Sequence, residues 1–190
     1  MLGLSCSPPK TFIFLLFPIS LFSQAWTCGD TILDLRDGLS YNTVQIGSQC
    51  WMAQNLNYGQ HILSHDSAFL HSEAINNGVI EKYCLGNDPT NCQDYGGLYD
   101  WNEMMEYSTT ENIQGVCPGG WYLPSDNEWN ILILHLDGDA IIWGYNSSQS
   151  YIAGGMMKSI GTIENVDGYW YSPNGGASNE SGFRVIGSTK

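Results

Sequence analysis

Few residues in this chain have the type and spacing to do chemistry. His61-x3-His65 would set two imidazoles one turn apart on a helix, with Asp66 and His71 nearby, a donor set that suits a divalent metal. No H-E-x-x-H pattern accompanies it, so a solvated insertion is the expectation. Asp34, Asp37, Asp137 and Asp139 could offer oxygens to calcium, but none has the D-x-D-x-D-G spacing of a calcium loop, and turn acids are expected instead. A nucleophile needs an activating base in reach, and Cys117 with His135 is the one pairing to name. Ser125 reads as a helix cap, and no G-x-S-x-G elbow exists. A carboxylate pair for glycoside hydrolysis would leave no sequence signature, because its separation is a property of the fold. No catalytic residue, metal ligand or cofactor is therefore assigned, and no aromatic is singled out as ligand-facing.

The cysteines carry the clearest covalent expectation. Cys84-x7-Cys92 encloses Gly86-Asn87-Asp88-Pro89, a turn composition that lets the chain reverse, and a Cys84–Cys92 disulfide is predicted. No C-x-x-C pair or paired histidine lies beside it to favour zinc. Cys28, Cys50 and Cys117 are expected to share at most one further bridge, with the pairing among them left open. That count depends on the start of the chain. Lys10 is followed by an uncharged run, Thr11 to Phe22, and then by Ser23-Gln24-Ala25. Twelve uncharged, mostly apolar residues are too few to span a bilayer, which takes about 20, and they suit the core of a signal peptide. Residues 1–25 are thus read as a signal peptide and 26–190 as a single secreted domain, with no membrane span after processing. Bulky Trp26 beside Cys28 is wrong for lipid attachment. Cys6 departs with the leader, leaving five cysteines, so that one thiol is free, paired between chains or missing its partner. An exported compartment permits the disulfides.

The 165 residues beyond Ala25 suffice for one core. They hold all 19 Asp and Glu against five Lys and Arg, a net charge of −14. Such a surface repels phosphate backbones, and nucleic acid is excluded as a partner. Seven Trp and 22 Gly in the chain describe a loop-rich module with short strands, not a helical bundle.

The elements that must position these groups can be placed. Thr31 to Leu35 and Tyr41 to Ile46 flank Arg36-Asp37-Gly38, a hairpin signal. Residues 57–78 lack a period and read as an exposed insertion. Leu98, Trp101, Met104 and Met105 fit one helix face, with Asp100 and Glu103 at its start. A second helix follows Pro124: Ser125 and Glu128 form an S-x-x-E box, and Trp129, Leu132, Ile133 and Leu136 recur at i, i+3, i+4 and i+7 before Gly138.

Three blocks, Tyr41 to Asn57 (with Gln49-Cys50-Trp51-Met52-Ala53), Tyr83 to Trp101, and Cys117-Pro118-x-Gly120-Trp121-x-Leu123-Pro124-Ser125-x2-Glu128-Trp129, together resemble the Fibrobacter succinogenes major paralogous domain. Gly175 to Phe183 is similar to a later block. The third block also resembles a helix start in C-type-lectin-like folds, including formylglycine-generating enzymes. The resemblance implies an α+β, C-type-lectin-like fold: short antiparallel strands, two helices, long loops and stabilising disulfides. It also implies a secreted or cell-surface protein. Members continue past Gly182-Phe183 into further strands and a closing Arg-Cys, whereas this chain reads Arg184 to Lys190. On that resemblance the domain is expected to be incomplete at its C-terminal end, the closing Cys being the implied partner of Cys117 or Cys28. A lectin-type calcium site would call for Glu-Pro-Asn or Gln-Pro-Asp, and only Ser172-Pro173-Asn174 and Asn87-Asp88-Pro89 occur. Formylglycine chemistry would need a late cysteine pair, and none follows Cys117. The functional expectation is a noncatalytic binding or display module for an extracellular glycan or protein. The alternatives are an exported glycan-active hydrolase and a structural envelope protein.

Overall fold

The computed structural model describes residues 6–8, 26–63, 74–143 and 148–187. The leading apolar run, His65, Asp66 and His71 lie outside them. A three-stranded antiparallel meander runs β1 (Thr31–Leu33), β2 (Ser40–Ile46) and β3 (Gln49–Met52). Thr31 pairs with Asn42, and Ile46 with Gln49. Along β2 Tyr41 and Thr43 are buried between exposed Ser40 and Asn42, the alternation of a half-buried strand, whereas Ile46 falls on the other face and joins Trp51 in a separate cluster. The Asp37-Gly38 turn closes as read from the sequence: Gly38 N–H donates to Asp34 O at 2.8 Å, and Leu39 N–H to the Asp37 carboxylate at 2.9 Å. The β2–β3 turn needs Gly47, whose φ is +60° and where a β-carbon would lie 2.9 Å from His135 Nδ1.

Shorter elements follow. β4 (Gln60–His61) pairs in parallel with β5 (Glu81–Lys82). A single 3₁₀ turn, Leu85–Asn87, leads to α1 (Asn91–Tyr95) and α2 (Trp101–Met104). The longest helix is α3 (Asp126–Leu136), followed by the hairpin β6 (Ile141–Ile142) and β7 (Ser148–Gln149), and by α4 (Ala153–Met157). The class is a small mixed α+β domain with short strands. Its described residues carry four helices where two were expected. The extra pair, α1 and α4, are five residues each, too short to print a periodic stripe on the sequence.

The capping box of α3 is in place: Ser125 N–H and hydroxyl both reach Glu128 Oε2 at 2.9 Å. The stripe also lies as read. Leu132 and Leu136 are buried, and Trp129 and Ile133 are partly buried, in a cluster with Ile46, Trp51, Ala153 and Phe183. Trp51 is enclosed by aromatic rings, 4.8 Å from Trp129 and 5.6 Å from Phe183. A second cluster gathers Ile32, Tyr41, Met52, Leu56, Tyr99, Val116 and Trp121.

The helix read from Leu98 is corrected. Leu98 is not helical but bridges to Tyr83, and α2 spans only one turn. Trp101, expected on the core face, is 68% exposed, while Glu103, read as an acid at the helix start, is buried. Glu103 is tolerated there because its carboxylate accepts the Glu81 N–H at 2.9 Å and the Tyr107 hydroxyl at 3.0 Å.

Three disulfides staple the domain: Cys6–Cys117, Cys28–Cys50 and Cys84–Cys92, with α-carbons 6.0, 5.9 and 5.1 Å apart. Cys84 therefore meets Cys92 across the Gly86-to-Pro89 turn. Among the described residues no cysteine is free. The odd thiol expected of residues 26–190 is Cys117, and in the whole chain Cys6 partners it.

Candidate functional site

An open cleft of about 1080 Å³ lies between the β1–β2 turn, the β4–β5 pair and the end of α2. Its floor is polar and tightly wired. Asp34, 1% exposed, closes back on Arg36, whose Nε and Nη2 donate to the carboxylate at 2.9 and 2.7 Å. Burial alone would raise the Asp34 pKa, but the Arg36 hydrogen bonds and charge outweigh it and hold the carboxyl below its ordinary value. The same guanidinium donates to Val116 O at 2.9 Å and lies 3.7 Å from the centre of the Tyr58 ring.

Lys82 forms the opposite wall. Its ammonium donates to the Asn57 carbonyl and, at 2.7 Å, to Asn57 Oδ1. Burial lowers its pKa from the ordinary lysine value. Asn57 is itself fixed, because its backbone N–H donates to the Tyr41 oxygen at 3.0 Å. Burial pushes the Tyr41 phenol up to about 12. Tyr107 is likewise pushed up to about 12, by burial and then by the Glu103 carboxylate. Exposed Gln60, Asn76 and Glu106 border the mouth. The cleft thus offers amides, carboxylates and a phenol around a floor whose two cations are already engaged. That composition suits hydrogen bonding to hydroxyl-rich surfaces.

A smaller hollow of about 300 Å³ lies against Tyr41, Asn55, Tyr95, Tyr169 and Arg184. Tyr95 meets Tyr169 edge-on at 5.4 Å, and Arg184 lies 5.8 Å over the Tyr169 ring.

The candidate reactive residues are dispersed. Cys117 is bonded to Cys6 in one cluster, while His135 lies beside Gly47 on α3, so the structure does not bring them together as nucleophile and base. Asp34 is an ion-pair partner and Asp37 a turn acid. Asp137 accepts from Ser150 Oγ at 2.7 Å and from Asp139 N–H at 3.1 Å, binding the α3 end to the following loop. Asn174 donates to Ser159 O and Gly161 O, a loop-bracing role. Among the described residues no group of three or more His, Cys, Asp and Glu could hold a metal ion.

The Arg36, Lys82 and Glu103 framework was missed from the sequence. One signal was there to read: Glu81-Lys82 interrupts the apolar run Val79-Ile80-x2-Tyr83, where charges must be either solvated or satisfied inside. The element ends, disulfides and cleft define a stapled α+β module with a polar cleft. The chain belongs to the Fibrobacter succinogenes major domain family, whose model matches residues 44–190. No curated protein matches it, and no solved structure does.

Proposed function

We propose that this chain is a secreted or cell-surface binding module that takes a hydroxyl-rich extracellular ligand, a neutral glycan, in the cleft between Arg36, Lys82 and Glu106, without turning it over. The cleft carries this reading: it is large, open and lined by Asn57, Gln60, Asn76, Glu106 and Tyr107, groups that donate to and accept from sugar hydroxyls. The noncatalytic part rests on commitment. Glu103 is engaged by the Glu81 N–H and the Tyr107 hydroxyl, Lys82 by Asn57, and Arg36 by Asp34 and Val116. The hydrogen-bonding capacity of these groups is largely spent inside the protein, which leaves Asp37 and Glu106 as the cleft's other carboxylates. Export is supported by three disulfides, which form and persist in oxidising compartments. No helix among the described residues is long and apolar enough to cross a membrane. The lectin-like arrangement implied by the resemblance belongs to this proposal.

Calorimetric titration of the oxidised protein with cellohexaose, xylohexaose and mannohexaose, with released reducing ends followed in parallel, tests the reading. Saturable heat without new reducing ends supports it. Release of reducing ends would favour the hydrolase, with Glu106 and Asp37 the cleft carboxylates to replace first. Neither heat nor turnover would favour the structural envelope role.

A further inference from the structure

Cys6 is separated from Cys117 by 111 positions, yet it is fully buried in the cluster that holds Met52, Leu56 and Trp121. Its backbone is seated as firmly as its sulfur. Ser7 N–H donates to Tyr122 O at 2.9 Å, Tyr122 N–H donates to Ser7 O at 2.7 Å, and Met52 N–H donates to Cys6 O at 3.3 Å. Ser7 thus forms an isolated antiparallel bridge with Tyr122, and Cys6 accepts a hydrogen bond from Met52 at the end of β3. Past the Ala25–Trp26 bond the chain returns to the same place: Trp26 stacks on Trp121 with ring centres 5.3 Å apart. Both sides of residues 9–25 are therefore fixed to the Trp121–Tyr122 edge.

We infer that the Met52–Cys117–Tyr122 groove is a strand-acceptor site whose occupant is the chain's own Cys6–Ser7 segment, and that cutting between Ala25 and Trp26 leaves residues 1–25 attached to the domain until a reductant releases them. The bond forms by exchange with a disulfide-donating oxidant. The Cys6 and Cys117 thiols lose two protons and two electrons, one S–S bond forms, and the donor's disulfide is reduced to two thiols. Both cysteines must meet in one oxidising compartment, so residues ahead of the apolar run accompany the domain there. Hydrogen bonding supplies the register that brings Cys6 to Cys117, and the disulfide then makes it lasting. The inference is independent of what the cleft binds.

The test uses the full chain, exported and purified without reductant, with a protease recognition sequence introduced between Ala25 and Trp26. Peptide mapping is expected to join a Cys6 peptide to a Cys117 peptide. After cutting, the intact mass should still include residues 1–25, with N-termini at both Met1 and the new site, and should fall by that fragment only when dithiothreitol is added. Ser7→Pro removes the N–H given to Tyr122 while leaving Cys6 in place. Loss of one such bond should raise the fraction of Cys117 open to alkylation during oxidative refolding by about two- to tenfold, with the other two disulfides unchanged. A fragment lost on cutting without reductant, Cys117 alkylated in the purified chain, Cys117 joined to Cys28 or Cys50, or no effect of Ser7→Pro would each overturn the inference.

Discussion

Leu132→Ala is the sharpest probe of how the helix is seated. Leu132 is 0% exposed and lies in the cluster built from Ile46, Trp51, Leu136, Ala153 and Phe183. Replacing a buried leucine removes its transfer free energy and leaves a cavity, together about 2 to 5 kcal/mol. How much depends on whether the neighbours can move in. Trp51, Trp129 and Phe183 brace one another at 4.8 to 5.8 Å, so the walls of the cavity are interlocked rings that relax little. The upper part of that range, about 3 to 5 kcal/mol, is expected. Ile131, one position earlier and 41% exposed, supplies the control, and its replacement by Ala should cost less than about 1 kcal/mol. Urea unfolding of the oxidised proteins, read by tryptophan fluorescence and far-UV circular dichroism, measures both. Coincident transitions and an unchanged m-value would license the comparison. Equal effects of the two substitutions, or a Leu132→Ala cost under about 1 kcal/mol, would refute the packing described for α3.

Three further outcomes are expected. Asp34→Asn should lower stability by about 1 to 3 kcal/mol at neutral pH, because Arg36 loses its charged acceptor. Since the folded Asp34 pKa lies below its ordinary 3.8, its contribution is present above that value and lost as pH falls through the folded pKa. Acid unfolding curves of wild type and Asp34→Asn should therefore converge at low pH, and parallel curves would count against the pair. Ser125→Ala should cost about 0.5 to 2 kcal/mol through the α3 cap, visible in thermal melts, with no loss implying that Glu128 alone holds the end. Gly115→Ala should cost more than about 1 kcal/mol, since Gly115 has φ +50° and a β-carbon there would fall 2.4 Å from Met104 O. A neutral result in the same melts would mean that this turn can relax.

Local signals in the sequence translated into structure where chemistry and neighbours agreed. Asp37-Gly38 made its hairpin, Ser125 and Glu128 made their box, and Leu132 and Leu136 took the core face. Cys84 and Cys92 stand eight positions apart around a turn, so their meeting is a local event. Long-range choices left no such trace. Trp101 reads as core and is exposed because Glu103, satisfied by Glu81 and Tyr107 from other segments, holds the inward position. The cleft was illegible for the same reason: Arg36 reaches Val116 across 80 positions and Lys82 reaches Asn57 across 25. Neither partner has a sequence spacing that marks it. The pairing of Cys6 with Cys117 depends on a groove assembled from β3 and the Tyr122 segment, which a cysteine count cannot show.

The central claim is that the cleft binds a hydroxyl-rich ligand, and replacing its exposed rim amides tests it most directly. Gln60 and Asn76 border the mouth on separate segments. Calorimetric titration of cellohexaose, xylohexaose and mannohexaose into wild type and a Gln60→Ala/Asn76→Ala double variant should show saturable binding of at least one sugar, with Kd raised about fivefold or more in the variant by loss of two hydrogen bonds. An unchanged melting temperature would confirm that the fold is intact. Binding that the double variant leaves untouched, or no binding of any of the three by wild type, would contradict the account.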